Sequence, residues 1–169
     1  KLLGLYPDDS TGHNNLAILY SNIGEKQKAI EHYEINRKHN DLSLLGYGNL
    51  ASLYRKVDFY DKAQEVLEEA AQKYPDNPIP HQELSLHYRM QGQYDLAFAE
   101  IEKGFAQKTE KGSINYRVNY RRRAEIHFYR DNIEKAAEDY QWLRELKSPQ
   151  AQYLGIIGTA NLRILRGKY

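Results

Sequence analysis

The sequence has no cysteine, which excludes disulfides and thiolate-held zinc. It has no apolar run near the roughly 18 residues that a membrane-spanning helix needs. There is no N-terminal signal pattern and no Asn-x-Ser/Thr acceptor. Charge of one sign is missing too: 24 Lys and Arg against 23 Asp and Glu leave a formal net charge of +1 over 169 residues. Such a balance gives no overall field to draw in a polyanion. Prolines number only five, and long alternating β-branched runs are absent. What remains, rich in Ala, Leu, Glu, Lys and Gln, favours helix. The first residue is Lys1 rather than Met, so the expectation is a piece of a longer chain, its targeting signals elsewhere and its compartment the cytoplasm.

Self-similarity is the strongest signal present. Leu16-Ala17-x-x-Tyr20 recurs as Leu50-Ala51-x-x-Tyr54 and as Leu84-Ser85-x-x-Tyr88, each step being 34 residues. Ala29, Ala63 and Ala97 recur at the same step, followed four residues later by Tyr33, Leu67 and Ile101. Leu, a small residue and Tyr at i, i+1 and i+4 share one helix face, where the small residue lets a second backbone come close. The Ala and large pair at i, i+4 makes the opposing face. Gly24, Asp58 and Gly92 fall between the two patterns, and the two glycines suit a left-handed helix cap. The unit is a helix, a tight turn and an antiparallel helix. One such hairpin cannot bury both faces and has to stack on neighbours.

These residues resemble the tetratricopeptide repeat family, whose pattern runs aromatic, Leu-Gly/Ala-x-x-Tyr, Ala-x-x-x-aromatic, Pro. Here His13, Tyr47, His81 and Tyr120 stand at the early aromatic position, and Pro75 is the closing proline. Gly48 to Pro78 is the fullest match. The resemblance implies an all-α, right-handed superhelical solenoid of antiparallel helix hairpins. The expected boundaries are the end of a preceding repeat at 1–9, repeats at 10–43, 44–77 and 78–111, and a fourth at 112–150. The first helix of a further repeat follows at 151–169.

The fourth repeat holds Ala124, Ala136, Tyr140 and Leu143, its two alanines 39 residues after their counterparts. The five extra residues fall around Thr109 to Ser113, in the connection or the flanking helices. Arg123 replaces the usual Leu here and His127 the usual Tyr. At the ends, Leu2, Leu3, Leu5 and Pro7 match the tail of a repeat, while Ala160, Gly167 and Tyr169 match the start of one.

Catalytic and metal constellations are weak by comparison. His13, His81 and His127 fall at packing positions, and His32 with His39, seven apart, lacks a third ligand at helical spacing. Gly46-x-Gly48 lies in a predicted helix rather than after a strand, so it is no dinucleotide fingerprint. No nucleophile context exists, and Glu68 and Glu69 are expected on a solvated face. Tyr20, Tyr33, Tyr54, Tyr60, Tyr88, Tyr94 and Tyr140 are expected in the core, hydroxyls at its edge. The reading is a non-enzyme with no cofactor.

In the family, the first helices of successive repeats line a concave surface that captures a peptide or partner segment. Carried over, the candidate groove residues are Asn15, Asn49, Ser52, Arg55, Glu83, Leu86, Arg89, Arg121, Arg122 and Glu125. Ile18, Ser21, Asn22, Lys56, Phe128 and Tyr129 fall at neighbouring groove positions. Asn15 and Asn49 resemble two rungs of an asparagine ladder, whose side-chain amides can pair with a ligand backbone. Alternatively they bond to neighbouring helices. Arg117, Arg121, Arg122, Arg123 and Arg130, with Arg89, suit an acidic segment or a chain terminus. The other reading is a solvated basic face balanced by Glu125, Asp131 and Glu134.

The expected role is therefore a protein–protein interaction module within a larger protein. A second reading is the regulatory or substrate-recruiting arm of an enzyme whose catalytic domain lies elsewhere. RNA binding is disfavoured by the regular 34-residue step and the small-x-x-Tyr signature. Leu154, Ile156, Ile157, Leu162, Ile164 and Leu165 make the last helix apolar, and self-association through it is expected.

Overall fold

The computed structural model describes residues 9–107, 110 and 112–165. The described residues form nine helices: α1 (Ser10–Asn22), α2 (Lys26–Lys38), α3 (Leu44–Arg55), α4 (Tyr60–Lys73), α5 (Pro78–Met90), α6 (Tyr94–Ala106), α7 (Ile114–Tyr129), α8 (Ile133–Glu145) and α9 (Pro149–Leu165). They fall into two compact units, Lys1–Pro75 and Asp76–Tyr169. In the first, α1 packs on α2, α2 on α3 and α3 on α4. In the second, α5/α6 and α7/α8 form hairpins, α7 also packs on α5 and α6, and α9 closes against α8 and α7. The sequence match of 1–8 to a preceding repeat lies outside the described residues, as do Gly167 and Tyr169.

Each first helix begins at a polar cap. Asp9, Ser43, Asn77 and Ser113 accept hydrogen bonds from the backbone N–H of Thr11, Gly46, Ile79 and Tyr116, satisfying donors that a helix start leaves open. Each hairpin then turns on one left-handed residue: Gly24 at φ 83°, Asp58 at 61°, Gly92 at 73° and Asp131 at 59°. The following N–H reaches back to a first-helix carbonyl, Glu25 to Tyr20, Phe59 to Tyr54, Gln93 to Tyr88 and Asn132 to His127, at 2.8–2.9 Å. None of the second helices has a side-chain cap, because the turn already ties their starts down.

These landmarks apportion the insertion. The cap steps 36 residues from Asn77 to Ser113, two beyond the repeat, whereas Ser85 to Ala124 is 39, five beyond. The difference of three lies inside α7, which is 16 residues long against 13 for α5. Two of the extra residues therefore extend the connection, and three lengthen the helix.

The small residues of the pattern are the points of closest approach. Ala17, Ala51, Ala124, Ala29, Ala63, Ala97 and Ala136 are all fully buried and Ser85 nearly so. Tyr33, Tyr47, Leu50, Leu67, Ile101, Ile126 and Leu143 fill the space around them, each worth about 1.5–3 kcal/mol on burial. The tyrosines divide: Tyr33, Tyr54, Tyr88 and Tyr140 are buried, whereas Tyr20, Tyr60 and Tyr94 are only half-buried.

Glu69 departs from the solvated position expected of it. Arg37 of α2 bonds to Glu69 and Glu65 of α4 and pairs with Glu34 of its own helix. Tyr47 and Tyr54 of α3 donate their hydroxyls to Glu69 and Glu34. Desolvation alone would raise the Glu69 pKa, yet the hydrogen bonds from Tyr47 and Arg37 hold it below its ordinary value. Arg37 thus ties α2 to α4, and the two tyrosine hydroxyls bring α3 into the same network through Glu69 and Glu34. Glu68 is exposed as expected.

In α9 the register differs from the one expected. Ala160 is exposed, and the buried small residue is Gly158, 34 residues after Ala124. Ala151, Gly155, Gly158 and Leu162 face the bundle. A Cβ at Gly155 would stand 2.5 Å from the Tyr140 carbonyl oxygen, and one at Gly158 would overlap the Tyr140 ring. Leu162 is thus not part of the exposed side, and Leu154 is half-buried. Tyr153, Ile156, Ile157 and Ile164 are the exposed large side chains. The side chain of Leu165 lies outside the described residues.

Candidate functional site

Each unit presents a hollow on the side of its first helices. In the first unit, Ile18, Ser21 and Asn22 of α1 face Asn49, Ser52 and Lys56 of α3 across a small hollow of about 140 Å³, with Tyr33 and Leu53 at its floor. Asn49 donates its side-chain amide to the Tyr33 hydroxyl at 3.0 Å. One of its donors is therefore already engaged by a neighbouring helix. Asn15 lies exposed on α1 and does not line this hollow, and Arg55 is half-buried near the end of α3.

The second unit holds a larger cleft of about 400 Å³. Arg89 of α5, with Glu125, Phe128 and Tyr129 of α7, forms one side. Gly158, Asn161, Leu162 and Ile164 of α9 form the other, with Tyr140 of α8 between them. The guanidinium of Arg89 lies 5.7 Å from the centre of the Tyr129 ring, which also stacks on Tyr94 and meets Phe128 edge-on. Burial first, and then the Glu125 charge, pushes the Tyr140 hydroxyl up to about 12, so it stays protonated at neutral pH.

The arginines separate into two groups. Arg122 is 8% exposed and bonds to Glu83 at 2.9 Å, joining α7 to α5. Positions 83 and 122 continue the series of Asn15 and Asn49, so in this unit successive rungs bond to each other. Arg123 binds both oxygens of Asp139 at 2.7 and 3.0 Å, reaches Glu102 at 3.4 Å and lies over the rings of Phe105 and Tyr120. Arg130 caps α7 and pairs with Asp95 at 2.9 Å, and Arg117 bonds to Ser148. By contrast, Arg89 and Arg121 share only Glu125, at 3.5 and 3.9 Å. Those separations exceed the roughly 2.7–2.9 Å of a charge-assisted hydrogen bond.

Of the groove residues expected from sequence, the structure brings Asn49 and Ser52 together in the first unit and Arg89, Arg121 and Glu125 in the second. Glu83 and Arg122 face each other as a pair, and Leu86 is half-buried on α5. Sequence reasoning missed Tyr140, Gly158, Asn161 and Leu162 at the cleft. The signal for the α9 residues is present in the 34-residue step counted from Ala124, which lands on Gly158 rather than Ala160.

Of the histidines expected at packing positions, His13, His81 and His127 all contact side chains of neighbouring helices. His13 and His32 meet through their Nδ1 atoms at 2.8 Å, and His81 meets Glu100 at the same distance two repeats on. His127 is buried against Phe98. Among the described residues, no three of His, Asp and Glu come together in a metal-binding arrangement, and no helix is long and apolar enough to cross a membrane.

Residues 49–109 match the sequence model of the tetratricopeptide repeat. No curated protein sequence matches the chain. Among solved structures it is similar to TTC0263, a thermophilic tetratricopeptide protein in Thermus thermophilus, with TM-score 0.73, 20% identity and coverage of 95% of this chain and 84% of that one. The MamA structure gives a TM-score of 0.70 at 18% identity, again over 95% of this chain and 84% of that one. Yeast Tom70 gives 0.76 at 15% identity over 98% of this chain, which spans only 34% of Tom70. Residues 49–109 thus carry the tetratricopeptide repeat pattern, and the chain has the all-α helix-hairpin fold of solved tetratricopeptide proteins.

Proposed function

We propose that this chain holds a segment of a partner protein against its first helices, and that the partner is acidic where it meets the cleft between α5, α7 and α9. The observation that carries this reading is the loose pairing of Arg89 and Arg121 with one shared carboxylate, beside a cleft of about 400 Å³. Two guanidiniums on a single Glu125 leave one positive charge over, and a carboxylate from outside would complete it. The apolar walls from Phe128, Leu162 and Ile164 supply burial for a neighbouring side chain. Arg122 and Arg123 are engaged in short pairs, which also leaves no open arginine stripe on α7 of the kind an RNA backbone would follow.

The test is a pull-down from lysate with the wild-type chain and an Arg89→Glu/Arg121→Glu variant whose helicity is unchanged. Arg122 is left intact because it is buried and joins α7 to α5. A partner captured by the wild type and lost with the variant is the expected result. Equal capture by both would place recognition away from the cleft and sink the reading.

We further propose self-association through α9, where Tyr153, Ile156 and Ile164 are each more than half exposed. Sedimentation should then depend on concentration, and Ile156→Lys should shift the chain toward monomer. A single monomeric species at high concentration in both proteins would refute it.

A further inference from the structure

The cleft between α5, α7 and α9 contains its own acid. Glu125 sits between Arg89 and Arg121, yet at 3.5 and 3.9 Å it satisfies neither guanidinium closely. The Nε atoms of both arginines are buried with no hydrogen-bond partner among the described residues. Elsewhere on α7 the chain builds such pairs tightly, as Arg122 to Glu83 and Arg123 to Asp139 show. A loosely held carboxylate between two under-satisfied guanidiniums is an occupant that another carboxylate can displace.

Resting on the acidic-partner reading above, we infer that Glu125 is the specificity-determining residue of this cleft: it stands in for the partner's carboxylate and restricts entry to a single acidic side chain. The charge balance gives the restriction. Two guanidiniums and Glu125 sum to one positive charge, which one incoming Asp or Glu neutralises. A phosphorylated side chain carries about −1.5 to −2 at pH 7 and would leave excess negative charge beside Glu125. In a half-enclosed cleft that excess is poorly screened. The Tyr140 hydroxyl, held neutral by burial, adds no further negative charge.

The experiment follows the Nε–Hε signals of Arg89 and Arg121 by NMR during titration with three blocked tripeptides, acetyl-Leu-Xaa-Leu-amide with Xaa as Glu, Gln or phosphoserine. In the wild type, the Glu peptide should move both signals and bind at least about fivefold tighter than the Gln peptide, with the phosphoserine peptide no tighter than Glu. In Glu125→Gln the Glu peptide should bind roughly tenfold tighter, and the phosphoserine peptide should become the strongest of the three. Glu125→Asp, which keeps the charge, should retain the wild-type order. If the Glu peptide moves neither signal in any of the proteins, the cleft reading falls and this inference with it. If it moves both signals with the same affinity in wild type and Glu125→Gln, the cleft stands and the role of Glu125 is overturned.

Discussion

Arg123→Leu is expected to destabilise the second unit by about 3 kcal/mol, although leucine is what the repeat pattern calls for at that position. The substitution removes the guanidinium from Asp139, which is only 5% exposed, and leaves a buried carboxylate unpaired. It also removes the cation from the faces of Phe105 and Tyr120. Arg123 itself keeps some contact with solvent, which puts the loss at the lower end of what breaking a buried pair costs. The double variant Arg123→Leu/Asp139→Val should recover most of the loss or exceed the wild type. It recreates the second repeat, where Leu50 and Val66 occupy the equivalent positions and both are fully buried. Replacing a buried ion pair by well-packed apolar residues is often neutral or stabilising. Trp142, the only tryptophan, stacks on Tyr120 at 3.8 Å, so its fluorescence reports urea unfolding of this unit directly. A single variant as stable as wild type, or a double variant no better than the single, would show that the pair is not what holds α7 to α8.

Gly155→Ala should release α9. The added methyl would meet the carbonyl oxygen of Tyr140 and, at 2.9 Å, the backbone nitrogen of Arg144, neither of which can rotate away as a side chain could. Overpacking of this kind costs about 1–3 kcal/mol, and α9 is held only along one face. The α9 amides should lose protection in hydrogen exchange while α5 and α6 keep theirs. Because α9 supplies one wall of the cleft, the tripeptide response at Arg89 and Arg121 should weaken too. Gly48→Ala is the matched control. It lies inside α3 with nothing near its would-be Cβ, so there the change should stabilise by about 0.5–1 kcal/mol. If Gly155→Ala behaves like Gly48→Ala, the close approach of α9 to α8 is not a determinant of docking.

Where the sequence is legible, one residue type carries one backbone or packing requirement. The 34-residue step, the small residues at crossings and the left-handed turn residues at 24, 58 and 92 are of this kind, because a Cβ or a φ value admits few substitutes. The polar pairings are not legible. Arg37 reaches Glu69 from 32 positions away, and Arg123 reaches Asp139 from 16, through long flexible side chains that leave no periodic trace. Glu69 consequently reads as a solvated carboxylate. At α9 the difficulty is different: glycine in a helix weakens the pattern, so the residue types point to Ala160, although a glycine at 158 is what permits the Tyr140 ring to lie against the backbone. At the candidate site, residue type suggests a basic face, but only geometry separates the arginines engaged in short pairs from the two that share Glu125.

The four hairpin turns also bear on how the chain reaches its fold. Each is closed by one backbone bond between residues five apart, repeated from Glu25–Tyr20 to Asn132–His127. Contacts this local carry little loop-closure entropy and are reached early in a search. Each hairpin can therefore nucleate by itself and recruit its neighbour, as in other repeat arrays where stability is nearly a sum over adjoining units. Kinetic lesions should accordingly remain regional: slowing one turn delays the hairpin it closes and those stacked on it, without gating the remainder. The same locality lets the five extra residues enter ahead of the turn at Asp131, in the connection and in α7, and leave that turn's closure unchanged.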